Sequence, residues 1–182
     1  ISKEESQDES EFPIYSIFDA QKEYDKFVKE DRKIKLGFSE KIDTLIRGVA
    51  PEQVGVILGR PGSLKSTIAM TIGKYFVDNY GGYFLYNSLE MSLAMMYERQ
   101  MQINLGENAE YVEKNYPSFA VEENMKRFLI ADKTNISVKN MVNAIERFQD
   151  KSGEKIELWV VDYLHAMKSE GQDSRTRIES TV

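Results

Sequence analysis

The segment of residues 54–67 constrains the fold of this chain more than any other. An apolar run, residues 54–58, leads into a glycine-containing turn and then into Lys65-Ser66-Thr67, where a helical pattern starts. A strand, a turn and a helix in this order direct backbone N–H groups into one concavity, and the helix N-terminus adds a partial positive charge. We therefore interpret the turn as a phosphate-binding loop, in which Lys65 reaches the outer phosphates and Ser66 ligates a magnesium ion. The predicted loop residues are Gly59, Arg60, Pro61, Gly62, Ser63, Leu64, Lys65, Ser66 and Thr67.

The loop departs at one position from the pattern G-x-x-x-x-G-K-[ST], because Leu64 stands where the second glycine is expected. A side chain forced into a glycine-type backbone conformation costs about 1–3 kcal/mol. We expect Gly62, two residues earlier, to carry part of the bend. The departure is expected to impair fast hydrolysis more than nucleotide binding. The alternative is a plain strand–turn–helix whose lysine has no phosphate to bind.

Composition narrows the class of protein. The chain has 182 residues, enough for one domain with a core plus an appendage, and its 41% hydrophobic and 30% charged content suits a globular fold. It has no cysteine, which excludes disulfides and thiolate metal sites. No apolar run is long enough to span a bilayer, and no apolar signal segment begins the sequence. Because the first residue is Ile1 and not methionine, we expect a processed or partial chain. The net charge of −6 argues against a surface that is basic throughout.

Three parts follow one another along the chain. Residues 1–11 are acidic and serine-rich, which predicts a disordered tail or linker. Residues 12–33 carry apolar residues at helical spacing, with Ser16 and Asp19 placed to form a capping box. Residues 34–182 alternate apolar runs with helical patterns.

This alternation predicts an α/β fold with three layers and a mostly parallel sheet. Strands are predicted at residues 54–58, 83–87, 127–131 and 157–162, and the longer helices at residues 66–79, 92–104 and 135–150. The run at residues 54–58 is nearly all apolar, so we expect a strand that is buried on both faces. In such sheets ligands bind at the carboxyl ends of the strands.

Two carboxylates follow predicted strands at this edge. Asp162 ends an apolar strand, and with the lysine turn upstream we interpret it as a magnesium ligand opposite Ser66. The alternative is an aspartate that only caps the strand. Glu90 follows the second predicted strand and is placed to orient and deprotonate a water. The equal alternative is that Glu90 is only a glutamate at a helix N-terminus, where the helix dipole favours a negative charge. The predicted catalytic residues are thus Lys65, Glu90 and Asp162.

Other singled-out residues have weaker signals. His165, the only histidine, lies three residues after Asp162 and either contacts a phosphate or is an ordinary loop residue. Trp159 is most simply a core residue. Lys168, Arg175 and Arg177 form a local basic segment that is either solvated or suited to phosphates in a pore.

The motifs of residues 36–182 together resemble the DnaB-type replicative helicases, which are RecA-like ring motors. Residues 36–48 resemble the start of the family's motor domain, and residues 59–66 resemble its phosphate loop. Residues 87–92, Asn-Ser-Leu-Glu-Met-Ser, are similar to the second motif, and Arg99 falls on an arginine of the following helix. The remaining matches are residues 160–167, similar to the metal-aspartate motif, and residues 173–179, similar to a helix that follows a DNA-facing loop. The family usually has glutamine where His165 stands.

The resemblance implies a RecA-like phosphate-loop ATPase core at residues 34–182, preceded by a linker helix at residues 12–33 that packs on a neighbouring protomer. It implies ATP and Mg²⁺ as cofactors, with Glu90 as the catalytic carboxylate. Single-stranded DNA is the implied partner, the chain is expected to form a ring, a hexamer in this reading, and a primase or loader is a further candidate. The implied location is the cytoplasm, in a bacterial or viral replication machinery, without membrane contact.

Two alternatives stay open for the function. One is a RecA-like recombinase or another DNA-dependent ATPase that wraps DNA without unwinding it. The other is an assembly module that binds nucleotide and does not hydrolyse it. The family's collar domain, sensor strand and arginine finger have no counterpart in this sequence, so we expect the chain by itself to hydrolyse ATP poorly.

Overall fold

The computed structural model describes residues 14–30, 33–132 and 136–162. The chain divides into two compact units, Ile1–Lys33 and Ile34–Val182. The predicted acidic tail lies outside the described residues, as do His165, Lys168, Arg175 and Arg177.

The described residues of the first unit include the helix α1 (Ile17–Glu30). The predicted capping box is confirmed: the backbone N–H of Asp19 donates to Ser16 Oγ at 3.3 Å, and the N–H of Ser16 donates to Asp19 Oδ2 at 3.2 Å. Reciprocal bonds of this kind satisfy two of the free donors at a helix start. The apolar side chains of Ile17 and Phe18 are exposed, as are those of Tyr24 and Val28.

The second unit alternates helices and strands as predicted. Its helices are α2 (Glu40–Ile46), α3 (Lys65–Tyr80), α4 (Leu93–Leu105), α5 (Ala109–Asn115) and α6 (Val138–Ser152), with two short 3-10 turns, Tyr116–Ser118 and Glu123–Arg127. Its strands are β1 (Tyr83–Ser88), β2 (Phe128–Ala131) and β3 (Ile156–Asp162). Apart from the predicted strand at residues 54–58, the predicted strands and longer helices match the observed ones within a few residues.

The three strands form one parallel sheet in the order β2-β1-β3. In the register, Phe84 lies between Phe128 and Leu158, and Ser88 lies opposite Asp162. In this sheet β1 is therefore the central strand, with β2 on one side of it and β3 on the other. Parallel pairing brings the carboxyl ends of β1 and β3 together.

Helices cover both faces of this sheet. On one face, α3 and α4 pack against β1 through a cluster whose centre is Met70, Phe76, Phe84 and Met96, all fully buried. On the other face, Met141 of α6 packs near Leu89 and Trp159, in agreement with the predicted core position of Trp159. The predicted three-layer α/β fold with a parallel sheet is confirmed.

The predicted strand at residues 54–58 is wrong. These residues have no regular secondary structure, and the side chains of Val54 and Leu58 are 91% and 88% exposed. An apolar run becomes a buried strand only where it gains hydrogen-bonded neighbours and is covered on both faces. In the part of the chain that the structure describes, no strand pairs with this run. Its apolar composition alone therefore overestimates its burial.

Gly73 allows α3 to lie close to the sheet. A Cβ atom at this position would be 2.2 Å from Cε1 of Phe84, whose ring is fully buried. A side chain at position 73 would therefore hold the helix off β1. Because Lys65 and Ser66 are the first residues of α3, this close approach also sets where the predicted loop meets the sheet edge.

Replacing Gly73 by alanine is expected to lower the free energy of unfolding. Alanine gains about 1 kcal/mol in helix propensity, but overpacking a tight core typically costs about 1–3 kcal/mol or more. The buried Phe84 ring has little room to move, so we expect a net loss of about 1–2 kcal/mol in urea unfolding. Gly55→Ala is the control, since nothing lies within 4 Å of its added Cβ. A stabilised Gly73→Ala protein would contradict the close packing.

Candidate functional site

The predicted phosphate loop forms a turn that is closed by its own polar groups. The backbone N–H of Ser63 donates to the carbonyl of Arg60 at 3.2 Å, and the ammonium of Lys65 donates to the same carbonyl at 2.9 Å. A Cβ at Gly59 would lie 2.4 Å from Ser63 Oγ, so a side chain there would require the Ser63 hydroxyl to rotate away. The loop is solvent-exposed, while Lys65 and Ser66 are half-buried at the start of α3.

Two loop residues have left-handed backbone conformations. Gly62 has φ +76°, as the expected role in the bend requires, and Leu64 has φ 61° and ψ 22°. The Leu64 side chain is 67% exposed. Packing therefore offers little compensation for the steric cost of this conformation, which is about 1–2 kcal/mol for a residue with a Cβ. The site that departs from the glycine pattern is thus strained.

Replacing Leu64 by glycine is expected to stabilise the folded state by about 0.5–1 kcal/mol. Relief of the left-handed conformation gains about 1–2 kcal/mol, and the greater freedom of glycine in the unfolded chain takes back about 0.4–1 kcal/mol. Urea unfolding would measure the difference. The matched control is Gly62→Ala in the same turn, which is expected to lose about 0.5–1 kcal/mol, since a steric cost of about 1–2 kcal/mol is partly offset by the stiffer unfolded chain. Its Cβ meets nothing within 4 Å, so only the backbone changes. Changes of the same sign in both variants would contradict the assignment of strain.

The N-terminus of α3 is open to an anion. Leu64 is the N-cap residue, and no side chain among the described residues caps this end. The first intrahelical bond runs from the N–H of Ile68 to the carbonyl of Leu64 at 2.9 Å. The earlier N–H groups of a helix have no intrahelical partner, and they carry the positive end of the dipole. In this 16-residue helix they form a donor set of the kind that binds phosphate.

Glu90 lies just after β1, and its side chain is exposed. Ser88 fixes the turn, since its Oγ accepts from the N–H of Glu90 at 3.4 Å and of Met91 at 2.8 Å. The helix α4 begins later, with Ser92 as its N-cap, so Glu90 lies two residues before the N-cap, in the turn between β1 and α4.

Asp162 ends β3 directly opposite Ser88. Its backbone carbonyl accepts from the N–H of Leu89 at 2.7 Å, which ties the two strand ends together. Its carboxylate, half-buried, accepts a hydrogen bond from the hydroxyl of Tyr86, with 2.5 Å between Tyr86 Oη and Asp162 Oδ2. Both carboxylates named from the sequence thus lie at the carboxyl edge of the sheet.

Tyr86 is a site residue that sequence reasoning missed. Its side chain is fully buried in the middle of β1. Burial, then the hydrogen bond and the charge of Asp162, raise the pKa of the Tyr86 hydroxyl far above its usual range, and hydrogen bonding by Ser66 and the charge of Arg99 act in the opposite direction. The hydroxyl therefore keeps its proton at any physiological pH. The only sequence signal was a hydroxyl on the buried face of a strand, two residues before Ser88.

The structure brings some predicted residues together and leaves others apart. Asp162 accepts a hydrogen bond from the Tyr86 hydroxyl, while Ser66 and Arg99 lie near enough to influence the pKa of that hydroxyl. Arg99 also donates to Met91 Sδ at 3.4 Å. Within the described residues, no hydrogen bond or ion pair joins Lys65 or Glu90 to Asp162. None of the described helices is long and apolar enough to cross a membrane.

A parallel sheet between helical layers, with a lysine-containing loop at a helix start and carboxylates at the strand ends, defines the class of RecA-like ATPase domains. The chain belongs to the DnaB-like helicases, because residues 34–182 match the family model of the DnaB-like helicase C terminal domain. The predicted resemblance is confirmed.

Solved structures show the same fold. The chain is similar to a solved ATPase domain with a TM-score of 0.69 at 23% identity, over 91% of this chain and 63% of that chain. It is also similar to a DnaB-like replicative helicase described with its interactions with primase, with a TM-score of 0.71 at 23% identity, over 91% of this chain and 43% of that chain. The chain therefore spans less than two thirds of either. No curated protein matches the sequence.

Proposed function

We propose that this chain is the motor portion of a replicative DNA helicase, which couples ATP hydrolysis to movement along single-stranded DNA. The observation that carries the proposal is the open N-terminus of α3, with Lys65 and Ser66 as its first residues, together with the Asp162 carboxylate that the buried Tyr86 hydroxyl holds at the end of β3. Membership of the DnaB-like helicase family supports it.

Phosphate binding is assigned to residues 59–67. The uncapped N–H groups at the start of α3 supply donors, and Lys65 supplies a charge. Lys65 Nζ already lies over the loop, where it donates to the Arg60 carbonyl. A triphosphate would take over that hydrogen bond, because a charged acceptor is stronger than a neutral carbonyl. Binding therefore needs no large movement of the lysine.

Magnesium is assigned to Ser66 and Asp162. Magnesium prefers oxygen ligands, keeps several waters and is usually held by one or two protein groups plus substrate phosphates. The Ser66 hydroxyl at the start of α3 and the Asp162 carboxylate at the end of β3, both of which influence the pKa of Tyr86, fit this need. No group of three or more candidate metal-ligating side chains occurs in the described parts of the chain, and a magnesium–nucleotide site does not require one. When bound, the ion would neutralise charge on the phosphates.

Hydrolysis is assigned to Glu90. Glu90 is exposed and follows β1, the strand next to that of Asp162, which places it at the same edge of the sheet as Asp162. There it would orient a water and accept the proton that the water loses.

The remaining parts of the proposal concern the whole protein. A similar DnaB-like replicative helicase was described with its interactions with primase. We therefore propose a primase or a loader as a candidate partner of this chain. We also propose a hexameric ring, a cytoplasmic location, and packing of α1 on a neighbouring protomer, since α1 carries exposed apolar side chains.

Phosphate release with and without single-stranded DNA tests the proposal on the full-length protein. Release that DNA stimulates supports a DNA-dependent motor, and strand displacement on a forked duplex separates a helicase from a recombinase. A second candidate is an assembly module that binds ATP without hydrolysis, which the strained Leu64 favours. Tight ATP binding and oligomerisation without phosphate release would support that module and contradict the motor.

A further inference from the structure

The hydroxyl of Tyr86 holds a carboxylate that is assigned to magnesium. Tyr86 is on β1 and Asp162 ends β3, so two neighbouring strands are joined through this hydroxyl. The hydroxyl donates to Asp162 Oδ2 at 2.5 Å, and the nearby Ser66, the second residue of α3, partly offsets the rise in its pKa. The aromatic ring is fully buried and packs against Phe84, with 6.4 Å between the ring centroids. The surrounding core therefore fixes the position of this oxygen.

The direction of the hydrogen bond matters for a metal. A phenol has one proton, and Tyr86 gives it to Asp162 Oδ2. A carboxylate has two oxygens with several lone pairs, so a bond to Oδ2 restricts rotation of the group and still leaves acceptor positions on the carboxylate for a water or an ion.

We propose that Tyr86 is a positioning residue, which orients the Asp162 carboxylate so that it presents oxygen lone pairs to a magnesium ion. The role belongs to the hydroxyl and not to the ring, because Phe84, on the same sheet face, is equally buried without a polar group. The inference rests on the proposed nucleotide site, and it predicts a magnesium effect that packing alone would not produce.

Tyr86→Phe tests the role, since it keeps the ring and removes only the hydroxyl. The measurement is binding of a fluorescent ATP analogue to the full-length protein during a Mg²⁺ titration, and again with EDTA. We expect the Mg²⁺ concentration at half-saturation to rise about tenfold or more, as for other groups that orient metal ligands. Binding in EDTA is expected to stay unchanged.

The matched control is Tyr80→Phe. The Tyr80 hydroxyl accepts from the backbone N–H of Lys35 at 2.8 Å, so its removal also deletes one tyrosine hydrogen bond, but at the other end of α3. Its Mg²⁺ half-saturation is expected to match the wild type even if its melting temperature falls. Equal half-saturation in Tyr86→Phe and the wild type overturns the positioning role and leaves the proposed function standing. A wild-type protein that binds no nucleotide overturns the proposed function itself.

If Tyr86→Phe does not fold, 3-fluorotyrosine incorporated at position 86 alone replaces it, since this residue keeps the hydroxyl. Its ¹⁹F resonance is expected to shift when Mg²⁺ is added to the nucleotide complex. A resonance that does not respond to Mg²⁺ would overturn the inference.

Discussion

Replacing Glu90 by glutamine is expected to lower the rate of ATP hydrolysis by about 10²–10⁴-fold, the usual contribution of a positioned general base. Glutamine has nearly the same size as glutamate, but its amide cannot accept the proton of the attacking water. Nucleotide binding should persist, because the loop and Lys65 are unchanged. Single-turnover phosphate release at saturating ATP and Mg²⁺, with single-stranded DNA present, measures the effect on the full-length protein.

Glu98→Gln is the control for this variant. It makes the same chemical change on α4, where the carboxylate accepts only from Gln102 Nε2 at 3.2 Å. Its hydrolysis rate is expected to equal that of the wild type. Glu90 would lose its assigned role if Glu90→Gln hydrolysed ATP at the wild-type rate, or if both variants were slowed alike.

Replacing Lys65 by alanine is expected to weaken ATP binding by about 10- to 100-fold. Hydrogen bonds to charged groups contribute about 1.5–3 kcal/mol, which corresponds to this change in the dissociation constant. The lysine reaches the turn itself, as its bond to the Arg60 carbonyl shows, so its loss acts directly at the loop. Fluorescence anisotropy of a labelled ATP analogue measures the affinity.

Lys74→Ala is the matched control on the same helix. It also removes one positive charge, but Lys74 pairs with Asp78 at 2.6 Å, away from the loop. We expect a change in stability and an unchanged nucleotide affinity. Similar losses of affinity in both variants would mean that overall charge, and not the position of Lys65, controls binding.

The sequence predicted the positions of the candidate site residues better than it predicted the structure of residues 54–58. The local sequence pattern placed Lys65 and Ser66 at the start of a helix, Glu90 after a strand and Asp162 at the end of one. It could do so because the spacing of apolar residues that distinguishes strands from helices involves only neighbouring residues. The same reasoning failed for residues 54–58. Their apolar composition suits a strand, but whether a strand forms depends on a partner elsewhere in the chain.

The sequence by itself determined the alternation of strands and helices, the phosphate-loop pattern and its departure at Leu64, and the family that these motifs resemble. Only the tertiary structure decided that β1 is the central strand, that residues 54–58 are exposed, and that the Tyr86 hydroxyl holds Asp162. The physical reason is distance along the chain. Tyr86 and Asp162 are 76 residues apart, and the alternation of a strand tells which face a side chain takes but not which group will meet it there.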